Sequence, residues 1–258
     1  MGIQTNYPLS AFPFWMPPPR ANTSAAVSAV LKLDDLARKA GVTLYPQIDF
    51  DDFNTAMRAN KDRRGYLNPI FDEPPAGQAF WIAGIAEDKA LLTTQAGRLY
   101  DWRDTNLLRE AQSLRLYYPN GRGARAPHGE SVEMGCPSAE NITGQVLFSG
   151  GIWIRPDLTG VRPEIGCRLS QVLARVTRYC GFLHWPLDYI ISSISADLYA
   201  KGIANAYGQP HVEPGIKIAM QFMGEGGAVL LWSDRKDIER DIERTLAGDL
   251  TSPRGAVG

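Results

Sequence analysis

The stretch that most restricts the fold runs from Gln145 to Ile194. Gln145-Val146-Leu147-Phe148 and Gly151-Ile152-Trp153-Ile154 read as one long strand with a double glycine inside it. Gly150 and Gly151 suggest a bulge there, or a close approach by another group. A loop of proline, threonine, glycine and arginine follows. Ile165, Leu169, Val172, Leu173, Val176 and Cys180 then recur at helical spacing with Arg168, Arg175 and Arg178 between them. That helix is expected to bury one face and solvate the arginine face. Asp188 to Ile194 reads as a buried strand.

The flanking residues add elements of both kinds. Asn22, Thr23 and Ser24 offer N-cap oxygens ahead of Val27, Val30, Leu31 and Leu36, and Gly41 closes that helix. Val42 to Ile48 reads as a short strand, Asp51 and Asp52 open a second helix, and 61–75 reads as loop. Ala79 to Ala86 and Ala90 to Trp102 make a hairpin about Glu87-Asp88-Lys89. Residues 120–138 read as loop, and Asp197 to Ala206 as a short helix. Ile216 to Phe222 and Ala228 to Trp232 form a second hairpin, joined across Gly224 to Gly227. Ser233 is expected to cap a last helix, in which Ile238, Ile242 and Leu246 stand four apart. The expected class is α/β (α+β), a mixed central sheet flanked by helices. Residues 1–20, with five prolines and Tyr7, Phe12, Phe14 and Trp15, are expected to form an extended arm packed by its aromatics, 21–247 one domain and 248–258 a frayed tail.

Composition narrows the function classes. Among 258 residues, 27 Lys+Arg stand against 28 Asp+Glu, a balance that argues against a nucleic-acid coat or a polybasic membrane surface. With 44% hydrophobic and 21% charged residues, disorder over the whole chain is excluded. No run of about 18 apolar residues occurs, so no membrane span is expected. Cys136, Cys167 and Cys180 suit neither a disulfide framework nor a C-x-x-C metal site, and the first residues lack a basic and then apolar leader, so a reducing cytoplasm is the expected compartment. Met1-Gly2 is followed by Asn6 where a myristoylation signal has Ser or Thr. His211-Val212-Glu213-Pro214 begins like a zinc deaminase, yet no P-C-x-x-C follows, and neither a G-x-S-x-G elbow nor a P-loop is present. No metal site is expected.

Chemistry is expected where the long strand runs out, at Ile154-Arg155-Pro156-Asp157-Leu158-Thr159-Gly160-Val161-Arg162-Pro163-Glu164-Ile165-Gly166. A strand, a loop and a helix start in that order aim unpaired N–H groups and the positive end of a helix dipole into one space, which suits a phosphate or pyrophosphate. An ordinary connection between strand and helix is the plainer reading of the same residues.

Here the sequence resembles the GNAT superfamily of acyl-CoA-dependent N-acyltransferases. In that family a central strand leads into hydrophobic-x-P-D/E-x-R/Q-G-x-G-x-G/A and then a helix. Ile154, Pro156, Asp157, Gly160, Ile165 and Gly166 match; Thr159 stands where the family has Arg or Gln, and Val161-Arg162-Pro163-Glu164 lengthens the link between the glycines. Ser195-Ala196-Asp197-Leu198-Tyr199-Ala200-Lys201-Gly202-Ile203 is similar to the family's later A-x-x-L-Y-x-K-x-G-F. The resemblance implies an acetyl-CoA or other acyl-CoA cosubstrate held by Ile152, Ile154, Thr159, Gly160, Val161, Arg162, Ile165 and Gly166. It also implies that Tyr199 is the acid that reprotonates the thiolate, and that the acceptor is a small-molecule amine or peptide, with a homodimer left open. Removing the amine proton needs a base within reach, for which Asp188, Glu164 and His184 are candidates. The rival is a non-catalytic ligand-binding or regulatory protein on the same scaffold.

Overall fold

The computed structural model describes residues 7–10, 24–59, 69–71, 74–118, 129–220 and 224–251. Most of the 1–20 arm, most of the 61–75 loop, residues 120–128 and the end of the tail lie outside them. Ala26, Ala29, Val30, Leu33 and Ala37 form the buried stripe of α1 (Ser24–Lys39). Gly41, at φ 75°, ends that helix, and the N–H groups of Gly41 and Val42 return to the carbonyls of Arg38 and Ala37. β1 (Thr43–Gln47), α2 (Phe50–Ala59), β2 (Ala79–Ile85), β3 (Leu91–Trp102), α3 (Leu107–Gln112), β4 (Ser131–Met134) and β5 (Gly144–Ile154) follow. β6 (Val161–Arg162), β7 (Cys167–Arg168), α4 (Leu169–His184), β8 (Tyr189–Ser195), α5 (Ala196–Ala200) and α6 (Ala204–Tyr207) come next, and β9 (His211–Met220), β10 (Gly224–Asp234) and α7 (Arg235–Ala247) complete the order. No helix among the described residues is long and apolar enough to cross a membrane.

Eight strands make one mixed sheet in the order β1-β2-β3-β5-β8-β10-β9-β4, and within it only β5 and β8 run parallel. Helices cover both faces, as a mixed sheet with two apolar faces requires. On one face Val30 and Leu33 of α1, Leu173 and Val176 of α4 and Ile238 of α7 pack on Leu147 and Ile190 of the sheet. On the other, Phe53 of α2, Phe71 and Leu107 of α3 pack on Trp81, Phe148 and Ile191. The double glycine is a bulge. Ala96 pairs with Gly150 and Thr94 with Trp153, so Gln95 stands opposite both Gly151 and Ile152, and Gly151 has φ 64°. A Cβ on Gly151 would lie 2.8 Å from Phe53 Cζ, which accounts for glycine there twice over.

Several sequence expectations need correction. Arg175 and Arg178 are not solvated: they are 0% and 1% exposed, because α6 packs on α4 and Asp241 of α7 reaches across to bind both guanidinium groups. One carboxylate, Asp241, receives Arg175 Nη2 at 3.2 Å, Arg178 Nη2 at 2.8 Å and the Tyr179 hydroxyl at 2.8 Å. Ile165 precedes α4 and lies in the turn between β6 and β7, since the added Val161 to Glu164 residues fold back as a small hairpin. Part of the 120–138 loop is the edge strand β4, whose Val132 and Met134 pair with Ile218 and Ile216. Gly224 to Gly227 lie inside β10 rather than in its turn. Asp234, not Ser233, caps α7, accepting from Asp237 N at 2.8 Å. The 197–206 helix is two helices, α5 and α6, separated at Gly202 with φ 74°. Of the expected 248–258 tail, the described residues reach 251, and Leu250 packs in the core. Of the arm's described residues, Leu9 is buried and Tyr7 is 61% exposed; Phe12, Phe14 and Trp15 lie outside the described residues.

Candidate functional site

The parallel pair is short. Val146, Leu147 and Phe148 pair with Tyr189, Ile190 and Ile191, and there the pairing of β5 with β8 stops. β5 continues with β3 as far as Ile154, and β8 with β10 as far as Ser195. Two strands that stay bonded to opposite neighbours while losing each other leave a split in the sheet, open at their C-terminal ends.

Each arm of the split leads into a different element. From β5 the chain passes a turn at Pro156–Leu158 and the β6–β7 hairpin, then enters α4. From β8 it enters α5, whose first turn is capped by Ser195 Oγ accepting from Leu198 N at 3.3 Å, and then α6. The start of α4 and the α5–α6 segment therefore face one another across a cleft of about 480 Å³, lined by Arg168, Gln171, Lys201, Gly202, Asn205, Ala206 and Thr251.

The cleft is electropositive for three separate reasons. The 16-residue α4 directs the positive end of its dipole there, with no acidic residue in its first turn. Arg168 and Lys201 line it from opposite sides, both exposed. Beneath it, two buried guanidinium groups share the single carboxylate of Asp241, which leaves one buried positive charge without an acidic partner in that cluster. Gln171 shapes the rim: its Oε1 accepts from Arg168 N at 2.9 Å and its Nε2 donates to Leu250 O at 2.9 Å. Asp249, at the end of the same segment, is held near a pKa of 2 by the Thr251 hydroxyl and Arg244. Such an arrangement can hold a polyanion such as a pyrophosphate.

The residues expected from sequence divide between the two ends of the sheet. Ile152 and Ile154 lie past the bulge on β5, partly buried on the α4 side. Thr159 and Gly160 are exposed ahead of the hairpin and Val161 at its start, with nothing within 4 Å of a Cβ placed on Gly160. Arg162 donates Nε to Glu164 Oε1 at 2.7 Å, and Arg155 is likewise paired with Asp157 at 2.7 Å, so both loop cations are engaged within the loop. Ile165 and Gly166 line a smaller recess of about 260 Å³ with Lys32 and Leu250. Tyr199 is 40% exposed on α5, two residues before Lys201. All of these stand at the split end.

Asp188 and His184 do not. Asp188 joins the start of β8 to the start of β5, its N–H donating to Gln145 O at 2.9 Å and its Oδ2 accepting from Gln145 N at 2.8 Å. That level is nine residues from Ile154 along β5, about 30 Å at the rise of a strand. His184 ends α4, about 22 Å from Leu169 along the helix, and burial lowers its pKa. Glu164 is at the right end, but its own backbone N–H and the Arg162 guanidinium keep its carboxyl below the usual range. His211 and Glu213 serve the fold: His211 stacks on Trp232 at 3.8 Å and bonds Asp237 at 2.9 Å, while Glu213 accepts from Trp232 Nε1 at 2.8 Å.

Sequence reasoning missed Arg168, Lys201, Asn205 and Thr251 as cleft residues. Lys201 stood inside the quoted Leu198 to Ile203 similarity and could have been taken from it. The other three become neighbours only when the chain closes around the start of α4.

No family model matches the sequence, and neither does any curated protein. Among solved structures, a provisionally named acetyltransferase from Sphaerobacter thermophilus DSM 20745 is similar over 75% of this chain and 93% of that one, with 13% identity and a TM-score of 0.36. A likeness of that extent is too slight to assign a family.

Proposed function

We propose that the protein is an acyl-CoA-dependent N-acyltransferase on a GNAT-like scaffold, moving an acetyl or other acyl group directly to an amine. The observation that supports this reading best is the splayed β5–β8 pair with an electropositive cleft at its mouth, because a linear ligand with a pyrophosphate at one end and a thioester at the other needs both. Acyl-CoA would supply an activated acyl group: the C–S bond breaks as the C–N bond forms, and the proton lost by the amine balances the thiolate.

In this reading Arg168, Lys201 and the first-turn amides of α4 hold the pyrophosphate. Ile152 and Ile154 wall the pantetheine arm. The bulge at Gly151 lies past the last β5–β8 pair, and in this reading a backbone N–H of β5 there meets the carbonyl oxygen as it gains charge. Tyr199 stands at the same end as the source of the proton for the thiolate. Glu164, exposed and bonded to Arg162, is the carboxylate at that end of the sheet, and in this reading it takes the amine proton through water.

The test is thermal unfolding with acetyl-CoA. At a hundredfold excess over Kd, binding adds about 2.7 kcal/mol, or roughly 5–10 °C for a chain of this size. Arg168→Glu combined with Lys201→Glu should abolish the shift while leaving the unliganded Tm within about 2 °C, since both side chains are exposed. No shift in the wild type would sink the reading. The non-catalytic alternative is favoured by one observation, a loop whose Arg155 and Arg162 are already paired with Asp157 and Glu164 where a bare glycine loop would grip phosphate. CoA binding without turnover across an amine panel would establish it.

A further inference from the structure

On the α4 side of the split, polar side chains interrupt an apolar face. Leu147 and Ile190 belong to the core under α4, and two residues further along the same faces of the same strands stand Ser149 and Ser192, each 1% exposed. Gln95 of β3, fully buried, donates Nε2 to Ser149 Oγ at 3.0 Å. Thr177 reaches the same place from α4: its Cγ2 lies 3.3 Å from where a Cβ of Gly97 would stand, and Gly97 is paired with Ser149. Gln95 Oε1, Thr177 Oγ1 and Ser192 Oγ have no hydrogen-bond partner among the described residues. Buried polar atoms without partners are rare in folded chains, and three of those found here stand on the α4 side of β3 and β8 and on α4, around the split.

Their place is the crotch of the split. Phe148 and Ile191 form the last pair between β5 and β8, and Ser149 and Ser192 are the first positions past it. Arg175 and Arg178, the cations of α4 at this level, are turned to Asp241, so the polar groups that meet at the crotch are neutral.

Resting on the acyl-CoA reading, we propose that the crotch receives the end of the acyl group and selects a short acyl chain carrying a neutral hydrogen-bonding substituent such as a hydroxyl. A chain entering from the cleft meets apolar walls first, Ile152 of β5 and Ile194 of β8, and the polar floor last. A plain alkyl end leaves all three atoms unpaired. A hydroxyl can donate to Gln95 Oε1 and accept from Thr177 or Ser192. A carboxylate would be buried there without a cation, which disfavours it.

The test is calorimetric titration of the full chain with free CoA, butyryl-CoA and β-hydroxybutyryl-CoA, for the wild type, Ser192→Ala and Thr177→Val. The hydroxyacyl donor should bind about tenfold tighter than butyryl-CoA. Each substitution should bring that ratio toward unity and leave the affinity for free CoA unchanged. If free CoA binds but butyryl-CoA binds as well or better, the crotch holds only trapped water and the proposal is overturned while the acyl-CoA reading stands. An unaltered ratio in both variants overturns it too, and failure of free CoA to bind overturns both.

Discussion

Asp34 illustrates how far a single residue can depart from its sequence context. It reads as one of a pair of charges on α1, yet it is 1% exposed, and although Arg38 Nη2 lies 2.9 Å from Oδ2, neither carboxylate oxygen receives a well-formed hydrogen bond. Burial pushes its pKa from 3.8 up to about 6. Because the folded-state value is the higher one, the folded protein favours the protonated form, and stability is lost as pH rises from about 4 through 6. Asp34→Asn should therefore be more stable than the wild type by about 2–3 kcal/mol at pH 7.5 and indistinguishable from it near pH 4. Urea unfolding at the two pH values measures this, and a difference that does not depend on pH would refute it.

At the scale of elements, α4 and α7 are joined by a buried cluster of two arginines on one aspartate. Removing its one carboxylate leaves Arg175 and Arg178 buried without a counter-charge, so Asp241→Ala should cost about 3–5 kcal/mol. Glu239→Ala on the exposed side of α7, where the ion pair with Arg235 is at 3.3 Å, should change stability by less than about 0.5 kcal/mol. Equal effects in thermal unfolding would mean that the cluster is not the clamp described here. The types of most elements were legible because hydrophobic period is local: α1, the β2–β3 hairpin, the bulged β5 and α7 all come from it. The arginine face of α4 was misread for the same reason, since periodicity marks which residues share a face and is silent on what covers it. β4 was missed because four residues with alternating burial on an edge give too short a signal among glycines and prolines.

The whole molecule is nearly neutral, with a net charge of −1, so attraction of an anion to it must come from local placement of charge. Raising salt from about 50 to 500 mM should weaken CoA binding several-fold by screening the exposed Arg168 and Lys201, while the Tm of the unliganded protein shifts little. Isothermal titration over a salt series measures the first and a thermal scan the second; an affinity indifferent to salt would remove the cationic mouth from the proposal. Part of the candidate site was legible before the fold. The strand, glycine loop and helix start pointed to the end of β5 where the sheet splits, and the Leu198-Tyr199 similarity to the segment that faces it. Asp188 was not distinguishable from a site residue, because the eleven-residue length of β5 puts it at the far end of the sheet and sequence distance does not report that.

By itself the sequence determined most of the longer strands and helices, a double glycine in β5 that suits a bulge, and that a helix dipole follows it. These follow from side-chain period and from the conformational freedom of glycine, properties of a few neighbouring residues. Only the tertiary structure decided that β5 and β8 part after three pairs, that Lys201 and Thr251 come to stand across from Arg168, and that two arginines lie buried on one aspartate. Those outcomes depend on which strand takes which neighbour and which helix covers which face, and desolvation acts on the assembled neighbourhood rather than on the order of the chain.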